Sequence, residues 1–299
     1  WRDGDRIWDV PGLDQYHGKH IYLTEALTME ANRAMEEAVA AGKPFYLYMS
    51  HYAIHAPWEK DDRFYQKYKD QGLPDLEATY ASMIEGMDKS LGDILANIDR
   101  LGIGEDTIVL FMSDNGAAKQ VPRNLPLRGH KLTAYEGGIR VPLMVKWPGV
   151  TTADSVSETP VIIEDIFPTL LEMAGVDRYE QIGGQVDGIS FVPSLKGSAN
   201  PSEDRPLFWH YPHCYDQPPF SAIRRGDWKL IYFYEDQHSE LYNLAEDISE
   251  SQDLVEVRHD IAEPLIEALH DYLVEVDADI PSFKESGKRV PLPGEATRN

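Results

Sequence analysis

The sequence VLFMSDNGAAKQVPRNLPLRGHKLTAYEGGIRVPLMVKWPG, residues 109–149, is the most informative part of the chain. An apolar run typical of a β-strand ends on Ser-Asp-Asn-Gly at 113–116. Arg-Gly-His-Lys at 128–131 and Tyr-Glu-Gly-Gly-Ile-Arg at 135–140 then follow in order. Because open α/β sheets bind ligands outside the carboxyl ends of their strands, this order predicts such a sheet with a site for an anion where the strand ends.

The residue types in this stretch suit an oxyanion held by a metal. Carboxylate and amide oxygens, here those of Asp114 and Asn115, are the ligands that Ca²⁺ or Mg²⁺ prefers. Lys131 offers a compact positive charge for a sulfate or phosphate oxygen. Alone, Asp-Asn-Gly is more often a simple turn. The two motifs that follow it in order favour the interpretation as a site.

A second stretch, residues 44–57, has the same organisation. Residues 44–50 are apolar and aromatic and predict a buried strand. His55 lies two residues before Pro57, and an imidazole there suits a proton donor to a leaving group. His51 is interpreted as structural, either capping the strand end or orienting His55.

Both stretches resemble the sulfatase family, whose forms are close to T/S-D-N-G…L-R-G-G-K-G-T-T-Y-E-G-G-I-R-V-P…W-P-G and F-x-L-Y-x-S-H-x-x-x-H-x-P. The resemblance covers roughly residues 20–280 and implies an alkaline-phosphatase-like α/β fold. In that fold a layered sheet carries helices on both faces, here incomplete at the N-terminus, and a small antiparallel sheet with a helix follows it. The implied domains are 1–200, the C-terminal part of the catalytic domain, and 201–299, the antiparallel subdomain.

The resemblance also implies roles for individual residues. Asp114 and Asn115 would ligate Ca²⁺, with Mg²⁺ as the second choice. Lys131 would contact the sulfate and the leaving-group oxygen, and His55 would protonate the leaving alcohol. Three further side chains are expected to contact substrate: Arg128, His210 and His213.

Some of these assignments leave alternatives open. His210 and His213 could instead form hydrogen bonds inside the C-terminal subdomain, or bind zinc if a third ligand were near. Three positions depart from the family form, with His130 and Leu132 in place of glycine and Ala134 in place of threonine. The bulkier side chains at 130 and 132 bear on how freely the Lys131 loop approaches an anion.

The family's nucleophile is not found in this sequence. Sulfatases oxidise the first residue of C-x-P-x-R or S-x-P-x-R to formylglycine, but the single cysteine, Cys214, is not followed by that pattern. The family's early Asp-Asp metal pair is also missing. We therefore expect the chain to be the C-terminal part of a sulfatase-like protein, with formylglycine upstream and no turnover by the fragment alone.

Composition excludes several classes of function. The net charge of −23, from 28 Lys and Arg against 51 Asp and Glu, argues against nucleic acid and anionic membranes as partners. No stretch approaches the ~20 apolar residues of a membrane span. The resemblance to bacterial polysaccharide-degrading members points to the periplasm or beyond, and the oligomeric state is left open.

Periodicity gives a coarse map of the elements. Helices are predicted at 24–41, 75–101, 160–175 and 259–276. The third is interpreted as a helix whose apolar side packs on the sheet, and Asp165 within it is not assigned a catalytic role. Residues from Pro281 onward are expected to be loose. Strands are predicted at 44–50, 107–112, 141–146, 206–211, 221–225, 228–234 and 240–244.

The sequence therefore predicts a sulfuric ester hydrolase that acts on a sulfated sugar or polysaccharide. One alternative is a phosphodiesterase or phosphonate hydrolase of the same superfamily, which would need more Asp and His ligands around two metals. The other is a noncatalytic protein that kept a glycan pocket and lost the chemistry.

Overall fold

The computed structural model describes residues 2–3, 6–7, 10–121, 124–176, 186–198 and 204–295. They form two compact units, Trp1–Ile108 and Val109–Asn299. The helices are α1 Leu23–Ala40, α2 Tyr65–Asp70, α3 Asp75–Arg100, α4 Glu136–Ile139, α5 Ile166–Met173, α6 Val192–Leu195 and α7 His259–Glu275. The strands are β1 Arg2–Asp3, β2 Arg6–Ile7, β3 Val109–Met112, β4 Leu143–Lys146, β5 Leu207–Tyr211, β6 Phe220–Arg225, β7 Trp228–Phe233 and β8 His238–Asn243.

The first unit is built on the packing of α1 against α3. Apolar residues at helical spacing bury one side of each helix, as Met35 does on α1 and Met83 on α3. Between the helices, the Thr28 and Ser90 hydroxyl oxygens lie 2.5 Å apart, so the buried polar atoms satisfy each other. In the part of the chain that the structure describes, no helix combines the length and apolarity needed to cross a membrane.

The described residues of the second unit form two antiparallel sheets. Strand β3 pairs with β4, and strands β5, β6, β7 and β8 form a four-stranded sheet in that order. Side chains alternate between the faces of this larger sheet. One face packs on α7 and the other on the loop that contains Ala134 and Tyr135.

Most predicted elements are confirmed within a few residues. The helices predicted at 24–41, 75–101 and 259–276 correspond to α1, α3 and α7, and the four strands predicted after residue 205 are β5 to β8. The segment predicted as 160–175 begins with a 3₁₀ turn at Ile163–Asp165 and continues as α5. The boundary predicted at residue 200 between two family domains stays a prediction.

The prediction of a buried strand at residues 44–50 is wrong. These residues form no strand, and the side chains of Tyr46 and Tyr48 are 74% and 77% exposed. An apolar run indicates a tendency to be buried, but a strand exists only where a second strand satisfies its backbone N–H and C=O groups. No described residue provides that partner.

The prediction of a loose tail after Pro281 is also wrong for residues 281–295. Val290 and Leu292 are each 4% exposed and belong to the core under α7. The Ser282–Arg289 bridge closes this segment into a hairpin-like turn. The proline-, glycine- and charge-rich composition concealed two apolar residues that bind the segment to the core.

Candidate active site at the end of strand β3

Asp114 and Asn115 follow β3 directly, as the sequence predicts. Strand pairing continues one step beyond β3, because the Ser113 N–H donates to the Pro142 carbonyl over 3.3 Å. Asp114 is exposed and Asn115 half-buried. Within the described residues neither side chain makes a hydrogen bond or an ion pair, although the Ser113 hydroxyl donates to the Asn115 carbonyl. Their side-chain oxygens are therefore accessible to a ligand.

Backbone hydrogen bonds bring the Lys131 loop beside this strand end. The Lys131 N–H donates to the Ala117 carbonyl over 2.9 Å. The Gly116 N–H donates to the Gly138 carbonyl over 3.0 Å, which joins the start of the same loop to α4. Lys131 is half-buried, and no described residue forms an ion pair with its ammonium group. The structure thus brings together the segments that carry Asp114, Asn115 and Lys131.

Glycine is needed where these segments touch, because backbone packs directly against backbone. A Cβ atom on Gly116 would lie 1.8 Å from the Gly137 carbonyl oxygen. A Cβ on Gly137 would lie 2.5 Å from the Arg128 carbonyl oxygen. No side chain can be accommodated at either distance, so each position requires glycine for close approach.

The departures from the family form around Lys131 have distinct structural consequences. Leu132 has φ +75°, a left-handed conformation that favours glycine, which explains why glycine is usual there. The His130 Nδ1 lies 2.8 Å from the Lys131 carbonyl oxygen, so this ring nitrogen is the donor. Ala134 is 1% exposed and packs against the four-stranded sheet.

The two histidines of the second stretch lie in the first unit. His55 is exposed, and its Nδ1 lies 2.6 Å from the Ala56 carbonyl oxygen, which leaves Nε2 to exchange a proton with a ligand. The His51 Nε2 lies 3.2 Å from the Ser90 hydroxyl, while its buried Nδ1 has no partner among the described residues. Burial lowers the pKa of His51. That His55 faces the same anion as Lys131 stays a prediction.

Arg128 directs its guanidinium group to the C-terminal sheet. Its Nη1 donates to the Tyr242 hydroxyl and to the Glu250 carbonyl, each over 2.9 Å. The guanidinium also lies 3.8 Å from the centre of the Tyr135 ring, in a cation–π contact. These contacts hold the loop against the sheet, and the predicted contact of Arg128 with substrate stays a prediction.

The two histidines of the C-terminal subdomain differ in exposure. Both ring nitrogens of His210 have protein partners, with Nδ1 2.7 Å from the Ser221 hydroxyl and Nε2 2.8 Å from the Asp279 carbonyl. His213 is exposed and meets the Tyr211 ring edge-on. In this structure His213 is the more accessible of the two to a ligand. No cluster of three or more His, Cys, Asp or Glu side chains suited to a metal occurs in the described ranges.

Sequence reasoning missed a buried ionic cluster behind the Lys131 loop. The Lys229 ammonium lies 2.9 Å from Glu136 Oε1 and 2.8 Å from Glu250 Oε1, and all three side chains are at most 3% exposed. Arg140 also reaches this cluster, with its Nη1 3.4 Å from Glu136 Oε2. A lysine within the apolar strand Trp228–Phe233 was the one available signal.

The pKa values of the two carboxylates in this cluster are shifted in opposite directions. Burial disfavours the charge on Glu136, but Lys229, Arg224 and Arg140 outweigh it and lower the pKa of Glu136. Burial also acts on Glu250, where Lys229 does not fully offset it and Glu136 repels a second negative charge. The pKa of Glu250 is therefore raised.

Two family models match the chain. The model described as Sulfatase covers residues 3–176, and the model described as N-sulphoglucosamine sulphohydrolase, C-terminal, covers residues 130–279. The chain therefore belongs to the sulfatase family.

Individual relatives agree with this assignment. A sulfatase of Formosa agariphila is 32% identical over 98% of this chain and 56% of its own length. The N-acetylgalactosamine-6-sulfatase of Mus musculus is 34% identical over 70% of this chain and 39% of its own length. The chain thus spans about half or less of the length of these relatives.

A solved structure confirms the fold class. The structure of Ps i-CgsB in complex with k-i-k-neocarrahexaose superposes with a TM-score of 0.76 at 27% identity, covering 86% of this chain and 56% of that one. The predicted α/β architecture of the sulfatase family is therefore correct.

Proposed function

We propose that this chain supplies part of the active site of a sulfuric ester hydrolase that removes sulfate from a carbohydrate. One observation carries the proposal. The bond from the Lys131 N–H to the Ala117 carbonyl places a lysine loop beside Asp114 and Asn115, while the polar side-chain atoms of all three residues remain unengaged within the described part of the chain.

The donor set at the end of β3 fits Ca²⁺, with Mg²⁺ as the second choice. Asp114 and Asn115 offer hard oxygen ligands on an accessible loop, two of the roughly six to eight oxygens that Ca²⁺ takes. The remaining ligands would have to come from outside the described residues. When bound there, the ion would polarise the sulfate oxygens.

The chain's own residues would then divide the work. The Lys131 ammonium group would bind a sulfate oxygen and stabilise charge on the leaving oxygen. His55, whose Nδ1 is held by the Ala56 carbonyl, would donate the proton on Nε2 to the leaving alcohol. The nucleophile would be a formylglycine outside this chain.

The substrate class is proposed to be a sulfated sugar or polysaccharide. Support comes from Ps i-CgsB, 27% identical, which was solved in complex with k-i-k-neocarrahexaose, and from the relative named N-acetylgalactosamine-6-sulfatase. Such a polymer would be met outside the cytoplasm, so we propose a periplasmic or extracellular location. The charge of −23 disfavours nucleic acid as an alternative partner.

The test compares the 299-residue chain with the product of the longest open reading frame that contains it. We expect the longer product to release sulfate from sulfated oligosaccharides and the 299-residue chain to release none. Asp114→Ala and Lys131→Ala in the longer product should each lower kcat/KM by roughly a hundredfold or more. Lys119→Ala, which removes an exposed lysine near the same loop, is the control and should leave kcat/KM unchanged.

Three results would contradict the proposal in different ways. Sulfate release by the 299-residue chain would remove the need for an upstream nucleophile. Faster hydrolysis of phosphodiesters or phosphonates would favour the related hydrolases. Glycan binding by the longer product with no release of sulfate would favour a noncatalytic protein.

A further inference from the structure

The ionic cluster of Glu136, Lys229 and Glu250 lies inside the second unit with little access to water. Lys229 and Glu250 have fully buried side chains, and that of Glu136 is 3% exposed. The cluster also holds main chain, because Glu250 Oε2 accepts the Glu136 N–H over 2.7 Å. Glu136 is thus fixed twice, through its carboxylate and through its backbone.

The residues after Glu136 connect the cluster to both loops of the candidate site. The Gly137 N–H donates to the Arg128 carbonyl over 2.7 Å, at the start of the segment that leads to Lys131. The Gly138 carbonyl accepts the Gly116 N–H over 3.0 Å, two residues after Asp114. A shift of α4 would therefore be transmitted to both segments.

The backbone around α4 is packed too closely for α4 to shift on its own. A Cβ on Gly138 would lie 2.2 Å from the Thr133 carbonyl oxygen, and one on Gly137 would lie 2.5 Å from the Gly129 carbonyl oxygen. Backbone surfaces in direct contact move together, because close-packed interiors transmit strain.

Stability alone does not account for a buried cation between two carboxylates. The desolvation of three charges offsets much of their attraction, and apolar residues of similar volume often stabilise a core as well or better. A charged cluster does fix the positions of its side chains. The hydrogen bonds from the Lys229 ammonium group form only when the carboxylate oxygens of Glu136 and Glu250 lie at the right distance and direction. The neighbouring Ile231, two residues further along the same face of the sheet, is buried among apolar side chains, so this face is not polar throughout.

We propose that Glu136, Lys229 and Glu250 are positioning residues that set the placement of the Asp114–Asn115 and Lys131 segments relative to each other. This inference rests on the proposed function for its meaning, since those segments are the proposed metal and sulfate ligands. The contacts themselves do not depend on that function.

The test is hydrogen–deuterium exchange of the 299-residue chain, read by mass spectrometry in peptides spanning 113–118 and 129–133. In Glu250→Gln the amide oxygen can still accept the Glu136 N–H while the charge on Lys229 loses a partner. We expect exchange in both peptides to speed up by roughly tenfold, as local opening becomes easier. Lys229→Met, which removes the cation, should have a larger effect if it folds.

Asp165→Asn is the matched control. Asp165 is 1% exposed, pairs with Arg205 and accepts two backbone N–H groups, but it has no contact with the site segments in the described residues. It should lower the thermal midpoint without selectively speeding exchange at 113–118 and 129–133. Equal exchange in these peptides for wild type and Glu250→Gln would overturn the positioning role.

A second readout separates this proposal from the proposed function. The Ca²⁺ affinity of the longer product is measured by calorimetry for wild type, Glu250→Gln and Asp165→Asn. We expect roughly a tenfold or greater loss for Glu250→Gln alone, which is typical of residues that orient metal ligands. Faster exchange combined with no Ca²⁺ binding by wild type would retain the positioning role and contradict the proposed metal site.

Discussion

At the scale of single residues, one residue of the candidate site adopts a backbone conformation that is unfavourable for its residue type. Leu132 adopts φ +75° next to Lys131, where the family form has glycine. A left-handed conformation costs a residue with a Cβ roughly 1–2 kcal/mol. The loop tolerates that cost because both of its neighbours, Lys131 and Thr133, donate backbone hydrogen bonds.

Two substitutions at Leu132 isolate this strain. Both Leu132→Ala and Leu132→Gly remove the side chain beyond Cβ, so they differ only in the Cβ atom. We expect the glycine variant to be more stable by about 1 kcal/mol, the reverse of the usual order, in which glycine is less stable than alanine. Urea unfolding measures the difference. An alanine variant at least as stable as the glycine variant would show that the conformation is unstrained.

His51 predicts a pH dependence. Burial lowers its pKa below the ordinary value of 6.5, so the neutral ring is favoured in the folded chain. The stability that this provides is present above pH 6.5 and is lost as the pH falls through the lowered pKa.

His51→Gln keeps a polar atom near the Nε2 position that meets Ser90 but does not titrate. We expect the wild type to lose more stability than this variant between about pH 7 and about pH 5, because only the wild type must bury a charge. The measurement is the urea midpoint at each pH. Parallel pH profiles for the two proteins would show that His51 charges without cost.

At the scale of elements, the sequence predicts helices and hairpins correctly, because their signals are local. It does not predict which distant segments pair. Helix α3 follows from apolar residues three and four apart, and β6 and β7 follow from two short runs around the Gly226-Asp227 turn. Each signal lies within a few residues of sequence. The segment 44–50 failed because strand formation depends on a partner elsewhere in the chain.

In the candidate site too, the sequence predicts the residues that lie in local motifs but not those brought together from distant positions. Asp114 and Lys131 were found because family motifs mark them in short stretches. The cluster behind them was missed because Lys229 lies 93 residues from Glu136 and 21 from Glu250. Contacts between residues so far apart produce no periodic pattern in the sequence. The sequence alone also does not distinguish a buried lysine in a strand from one that faces solvent.

Residues 281–295, which follow α7, give a prediction at the scale of elements. Leu292 is 4% exposed in the core under α7, so Leu292→Ala should lower the free energy of unfolding by about 2–4 kcal/mol. Val257→Ala, at a side chain that is 70% exposed, should change it by less than about 0.5 kcal/mol. Thermal and urea unfolding measure both variants. Equal effects would mean that the segment does not contribute to the core in solution.

At the scale of the whole molecule, the charge of −23 opposes both compaction and the approach of a polyanion. Like charges on the surface repel each other over distances that salt shortens from about 30 Å at 0.01 M to about 10 Å at 0.1 M. A cationic group such as Lys131 must therefore act locally, within a negative surrounding.

We accordingly expect added sodium chloride to stabilise the chain. Raising the concentration from about 0.01 M to about 0.3 M should raise the thermal midpoint at pH 7, because screening reduces the net repulsion. Differential scanning calorimetry at several salt concentrations measures the trend. A midpoint that falls with salt would show that attractive ion pairs outweigh the repulsion of the net charge.

The bond from the Lys131 amide to the Ala117 carbonyl has a consequence for the surface around the lysine. It involves main chain only, so the lysine keeps this anchor whichever side chains stand at positions 130 and 132, although a Cβ at 132 carries the strain of its left-handed conformation. In this chain the two positions hold His130 and Leu132. The surface on either side of the lysine can thereby change in shape and charge while the backbone that carries the lysine stays in place.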